Sequence, residues 1–303
     1  MIRKALILFL ALILFYTLFL KFFAPSWWNT GHSDNQSNMI KAQDFLYSSH
    51  YHENVLVGSS LTNRLPQQDS SIGMCNLSFA GQSVFDGLEI IKHREVLPKR
   101  IFIETNLLSR SINGAFVDPL VSFIPLRLKE KLIVMREEVQ PLAQVGVVLD
   151  YKFLVPMLLA NTSMKIEGVE KKNEPEKKTE GSVKKSDFFD KMILQQKKAL
   201  AGFTKENVDE QMIVFHNYVN YFKAKGVELV LYQMPINKEL KNNVELLYIR
   251  KCLEEQFSNL TFIDVPPNID FVTTDGTHLG KEESAIYYAY LKENINSILL
   301  KKN

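Results

Sequence analysis

Two short stretches hold residues whose types and spacing suit nucleophilic chemistry. In "NVLVGSSLTNRLP", an apolar run leads into Gly58 and then Ser59-Ser60-Leu61-Thr62. A serine hydroxyl is a poor nucleophile until a base takes its proton and donors stabilise the oxyanion that follows. In "VTTDGTHLG", Asp275 and His278 stand three residues apart in a glycine-containing loop. A carboxylate beside a histidine fixes its tautomer and stabilises its charged form. Each stretch also has a plainer reading. Serines are ordinary helix caps, and the pair could be a turn aspartate with an unrelated surface histidine. Taken singly, neither stretch decides.

The surrounding elements must bring these residues together. Val55-Leu56-Val57 is a strand candidate, followed by "MCNLSFAG" (Met74 to Gly81), "RIFIETN" (Arg100 to Asn106), "VELVLYQMP" and "LTFIDVPP". Between the second and third, "SVFDGLEIIKHREVL" reads as a helix with Pro98 beyond its end. In "NVDEQMIVFHNYVNYFKAKG", Val208, Met212, Phe215, Val219 and Phe222 form one helical stripe, with Gly226 at the C-terminal stop. A final helix runs from Lys281 to about Leu300. Strand alternating with helix predicts an α/β fold, a three-layer α/β/α, flavodoxin-like arrangement around a mostly parallel sheet. Functional loops in such sheets lie at the carboxyl ends of the strands. A helix opening at the serines would set unpaired N–H groups and a positive dipole end beside the hydroxyl, and Gly58 would permit the sharp turn.

Residues 115–203 hold more chain than a crossover needs and read as an insertion. Within it, "KIEGVEKKNEPEKKTEGSVKKSD" (165–187) is charged and poor in apolar residues, which predicts a disordered or mobile loop. Upstream, "VGVVLDYKFLVPMLLA" is apolar enough to suggest a second membrane span. Asp150, Lys152 and Pro156 argue for a helical insertion instead.

At the N-terminus, Arg3 and Lys4 precede the uncharged run Ala5 to Leu20, then Lys21 and "FFAPSWW". That run rises about 24 Å as a helix, short of a hydrocarbon core of roughly 30 Å. Phe22, Phe23 and Ala24 extend it if Lys21 snorkels, and Trp27 and Trp28 then fall at the interface. The expectation is a retained anchor over residues 1–28 with its start in the cytoplasm, a stalk and entry segment over 29–53 that is polar and leads into a first helix or loop, and a domain over 54–303. A cleaved signal peptide is the alternative, against which no small-x-small site follows the run. On either reading the chain from Asn29 onward works outside the cytoplasm.

Composition narrows the classes further. The 303 residues are 46% hydrophobic and 23% charged, with 36 basic and 34 acidic side chains. No dense basic face with interleaved aromatics points to nucleic acid. Cys75 and Cys252 lack metal-ligand spacing and read as separately buried thiols. No metal or organic cofactor is implied.

Four stretches, in order, resemble the blocks of the SGNH, or GDSL-type, hydrolase superfamily. "VLVGSSLTNRL" is similar to the first, and its register assigns the nucleophile to Ser60, with Ser59 where the family usually has aspartate. "NLSFAGQSVFDGL" resembles the second, with Gly81 matching the glycine that lends a backbone N–H to the oxyanion hole. "IFIETN" resembles the third, with Asn106 as a side-chain donor and Glu104 at the usual glycine. "DGTH" resembles the fifth, with His278 as base and Asp275 as its orienting acid. The Gly-x-Ser-x-Gly elbow of α/β-hydrolases is absent.

The resemblance implies a serine acyl-transfer cycle with an oxyanion hole formed by Ser60, Gly81 and Asn106. Combined with an N-terminal anchor, it is similar to accessory proteins of extracytoplasmic polymer acylation, such as alginate O-acetylation proteins and the D-alanyl transfer protein of the teichoic-acid pathway. By that analogy the acceptor is a cell-envelope polysaccharide and the partner a multi-spanning membrane O-acyltransferase. Two other readings stay open: a membrane-tethered carbohydrate or lipid esterase, and a non-catalytic glycan-binding or scaffold protein.

Overall fold

The computed structural model describes residues 2–23, 33–132, 135–139, 181–200 and 204–300. Contacts divide the chain into two units, Met1–Tyr47 with Pro119–Thr179 and Ser48–Asp118 with Glu180–Asn303.

The second unit is built on a six-stranded sheet. Its strands are β1 (Asn54–Val57), β2 (Gln68–Asp69), β3 (Met74–Asn76), β4 (Arg100–Glu104), β5 (Glu228–Tyr232) and β6 (Thr261–Ile263). Their order is β2-β3-β1-β4-β5-β6, and every pairing is parallel except that of β2 with β3. The apolar runs read as strands are therefore strands; β1, β3, β4 and β5 are buried on both faces along almost all of their length, as inner parallel strands require, while the edge strand β6 is exposed at Thr261. The edge strand β2 was not anticipated.

Register sorts the two faces of the sheet. Leu56, Phe102 and Val230 lie side by side, and join Tyr287, Leu291 and Ile295 of α9 (Lys281–Leu300) in one core. Spacing of four residues puts those three side chains on one helical face. Val55, Ile101 and Leu229 alternate to the opposite face, as do Val57, Ile103 and Leu231. There, α3 (Val84–Lys92) approaches so closely that a Cβ on Gly87 would lie 3.1 Å from Val57. The stripe of α7 (Lys205–Ala224) packs on β5, and Val208, Met212, Phe215, Val219 and Phe222 are all buried. Phe85 of α3 meets Phe215 of α7 edge to face. Helices thus cover both faces.

Several boundaries differ from expectation. The helix after Ser83 ends at Lys92, short of Pro98. An unpredicted helix, α8 (Val244–Gln256), is capped by the Asn243 side chain, which accepts the Leu246 N–H at 2.9 Å. In the insertion lie α4 (Gly114–Val121), α5 (Phe123–Lys131) and α6 (Gly181–Leu200). Residues 181–187, expected as the end of a charged loop, are the first turns of α6. Residues 165–180, and the apolar stretch 145–160, lie outside the described residues. Cys75 and Cys252 are both buried thiols.

In the first unit α1 spans Ile2–Phe23 and α2 spans Asp34–Tyr47. The helix or loop expected after the polar stalk is thus a helix, with Ile40, Ala42 and Phe45 buried. The Gln43 amide oxygen accepts the Glu137 N–H at 2.9 Å, and the Arg136 guanidinium sits 4.9 Å from the Tyr47 ring centre. Among the described residues no helix is long and apolar enough to cross a membrane. Trp27 and Trp28 lie outside the described residues. The anchor expectation thus falls partly beyond the described residues.

Candidate functional site

β1 ends at Val57, and the chain turns through Gly58 into Ser59 and Ser60. The helix expected to open there is only a 3-10 turn, Thr62–Arg64. A single tight turn sums too few peptide dipoles for the field argued from the sequence. Other groups hold the serine loop.

The main one is Glu104, at the carboxyl end of β4 next to β1. Its carboxylate is buried and accepts the Ser59 N–H at 2.9 Å and the Ser59 hydroxyl at 2.8 Å. It also accepts the Thr62 hydroxyl at 2.7 Å and, more weakly, the Thr62 N–H at 3.3 Å. Thr62 donates its only proton to Glu104, so Tyr232 donates in the 2.6 Å contact between the two hydroxyls. Burial, then the Glu104 charge, keeps the Tyr232 phenol protonated far above its ordinary range. Gly58 makes this packing possible: a Cβ there would fall 2.5 Å from Glu104 Oε2 and 2.6 Å from Thr62 Oγ1.

Ser59 and Ser60 consequently differ. The Ser59 hydroxyl is buried and committed to Glu104. The Ser60 Oγ lies 2.8 Å from His278 Nε2, across 218 positions of sequence.

The histidine comes from the loop before α9. Gly276 takes a φ of +97°, which folds Asp275 back on the residues after it. Asp275 Oδ1 accepts the N–H of Thr277 at 3.0 Å and of His278 at 2.8 Å. Asp275 Oδ2 lies 2.7 Å from His278 Nδ1. Burial opposes ionisation of Asp275. The backbone N–H groups of His278 and Thr277 and the His278 ring outweigh it, holding the carboxyl below its ordinary value. With Nδ1–H directed at this carboxylate, Nε2 presents its lone pair to the Ser60 hydroxyl. The four-residue loop therefore both orients the imidazole and keeps its partner ionised.

Of the three groups expected at the oxyanion, Asn106 is the most firmly set. It is buried just beyond β4, its Oδ1 accepting the Met234 N–H at 2.7 Å and its Nδ2 donating to the Met234 carbonyl at 2.9 Å. A primary amide carries two protons, so one remains. Asn106, Ser60 and His278 together line a cavity of about 240 Å³, with Leu107, Arg110 and Glu245 on its wall. The Ser60 N–H has no acceptor among the described residues. Gly81 has a φ of +73° in the turn between β3 and α3, at the same edge of the sheet, and is not among the residues lining that cavity.

Asp86 was missed from sequence. It is buried on α3 and accepts the Ser83 N–H at 2.7 Å and the Asn113 N–H at 2.7 Å. It thereby ties the turn after β3 to the loop after β4. The Ser-x-x-Asp spacing of a capping box was the available signal.

Among the described residues no group of three or more histidine, cysteine or acidic side chains is placed to hold a metal. Comparison with models of known families, with characterised proteins and with solved structures finds no match.

Proposed function

We propose that this chain is an SGNH-type serine acyltransferase, held to a membrane by α1 with its α/β domain outside the cytoplasm, that passes acyl groups to a cell-envelope polysaccharide. The observation that carries the chemistry is the continuous line from Asp275 through His278 to Ser60, with heavy-atom contacts of 2.7 and 2.8 Å. Such a line suits proton transfer from a hydroxyl as it attacks a carbonyl.

In the proposed cycle the Ser60 Oγ bonds to the carbonyl carbon of an acyl donor while its proton passes to His278 Nε2. The carbonyl oxygen becomes an oxyanion, held by the Ser60 N–H, the remaining Asn106 amide proton and, after local adjustment, the Gly81 N–H. Collapse expels the donor alcohol, which takes the proton from His278, and leaves an ester on Ser60. An acceptor hydroxyl then repeats the sequence, giving its proton to His278 and releasing the serine. A multi-spanning membrane O-acyltransferase is the proposed source of acyl groups, and α1 keeps the domain near it.

The cavity volume of about 240 Å³ lies below the 300–1,000 Å³ usual for sites that enclose whole drug-sized ligands. That supports a short acyl group and weighs against a long-chain lipid esterase. One observation favours hydrolysis as a second reading: the His278 and Asp275 side chains stay 21% and 22% exposed, so water reaches the acyl-serine. The Ser59–Glu104 contact gives two of the departures from the family pattern a shared role, which weighs against a non-catalytic scaffold.

Labelling with a serine-reactive fluorophosphonate tests the proposal. Wild type and Ser59→Ala should label, and Ser60→Ala should not. Absence of label on folded wild type would defeat it. Incubating a model ester with and without oligosaccharide acceptors then separates the two outcomes, since transfer yields acylated sugar and hydrolysis only the free acid.

A further inference from the structure

The structure assigns Glu104 as a positioning residue for Ser60: the carboxylate that shapes the nucleophile loop is supplied from the neighbouring strand β4 rather than by the residue preceding the nucleophile. The assignment rests on the proposed serine acyl transfer and extends it to a residue that touches no reacting atom. Glu104 collects two hydroxyls and two backbone N–H groups, all from Ser59 and Thr62, the residues on either side of Ser60-Leu61. Every donor comes from the serine loop. A buried carboxylate needs several hydrogen-bond donors to offset its burial, and the loop provides them in the same conformation that leaves the Ser60 hydroxyl facing His278.

Three residues are fitted around Glu104. Gly58 must lack a side chain, because a Cβ would strike Glu104 Oε2 at 2.5 Å. Ser59 must be short, because the Glu104 carboxylate already fills the space at its hydroxyl, with contacts of 2.8 and 3.1 Å. Thr62 must offer a proton and also accept one from the buried Tyr232 phenol. A plain structural brace would need none of this to be centred on the nucleophile loop. A device for aiming Ser60 would.

The test is a carboxylate swap. Glu104→Gln keeps the shape of the side chain but loses one accepting oxygen. Its rate of fluorophosphonate labelling, and kcat on an activated acetate ester, should fall about a hundredfold with KM little changed, the loss expected for misplacement by about an ångström. Ser59→Asp alone crowds two carboxylates into one buried site and should lose as much. The double variant Ser59→Asp/Glu104→Gly moves the carboxylate to the other strand and should recover to within about tenfold of wild type, a coupling that independent sites do not show. Glu104→Gln that is folded and labels at the wild-type rate, or a double variant no better than Ser59→Asp, overturns the assignment. Failure of folded wild type to label at all would instead overturn the acyl-transfer reading on which it rests.

Discussion

Asn106 and Met234 exchange two hydrogen bonds, the Met234 N–H to Asn106 Oδ1 at 2.7 Å and Asn106 Nδ2 to the Met234 carbonyl at 2.9 Å. Both oxygen and nitrogen of the amide are thereby fixed in identity and direction, with one N–H proton left over. The backbone beyond β5 thus orients a side chain from the end of β4.

If that proton serves the oxyanion, Asn106→Ala should lower kcat on a model ester by about 10²–10³-fold, as loss of one oxyanion donor does elsewhere. KM should change little. Asn106→Asp, which keeps the shape but offers only acceptors, should be at least as damaging. Steady-state kinetics of the two variants check this, and an unchanged kcat in either would remove Asn106 from the site.

The depressed Asp275 carboxyl makes a prediction with a definite sign. The folded state favours its ionised form, so its stabilising contribution is present above the ordinary carboxylate range and is lost as pH falls through the lower folded value. Between about pH 5 and pH 3, the urea midpoint of wild type should drop more steeply than that of Asp275→Asn. Parallel curves for the two proteins would contradict the assigned direction.

Gly58→Ala should destabilise the α/β unit by about 1–3 kcal/mol, the usual cost of forcing a methyl group into a filled core. The obstructing atoms are Glu104 Oε2 and the Thr62 side chain, and both are tied into the buried network and cannot swing clear. Thermal unfolding checks the loss. The Thr62 atoms in the way are Oγ1 and Cβ, which serine also carries, so Gly58→Ala/Thr62→Ser should recover no stability.

Asp86→Ala should cost about 1–3 kcal/mol by stripping the partner from two backbone N–H groups, those of Ser83 and Asn113. Because these belong to the loops carrying Gly81 and Asn106, amide hydrogen exchange should rise in both loops together. An increase confined to the first turn of α3 would show that Asp86 is only a helix cap.

How far the sequence could be read depended on whether a feature was local. The strands around β1 and β4 were legible because parallel strands buried on both faces must be short and continuously apolar, as Val55–Val57 and Ile101–Ile103 are. The stripe of α7 was legible for the same kind of reason, since five apolar residues recur at helical spacing. By contrast β2 is only Gln68 and Asp69, with no apolar signal. Its pairing with β3 depends on a register set elsewhere. The pattern of α8 is blurred by Val244 and Leu247, which are exposed although apolar, while Leu246, Ile249 and Leu253 are the buried ones. In α2, the polar residues Asn38 and Gln43 are buried beside the apolar ones, which left helix and loop undecided in the sequence.

The site divided along the same line. The spacing of Asp275 and His278 raised their pairing, since a short loop leaves few ways to arrange them, and the resemblance assigned it. The Ser59–Glu104 contact could not. It depends on β1 and β4 lying adjacent with Val57 opposite Ile103, which places Glu104 one residue beyond, beside the serines. Seen only as letters, Glu104 looked like a blemish in a glycine position.

Ser60 stands near the start of the α/β unit and His278 near the finish, 218 positions further along the chain. A polypeptide is made from its N-terminus, so the hydroxyl emerges long before the imidazole that would activate it. On the proposed reading, a newly made chain carries a dormant serine through synthesis and export. It turns reactive only once its final helix has docked.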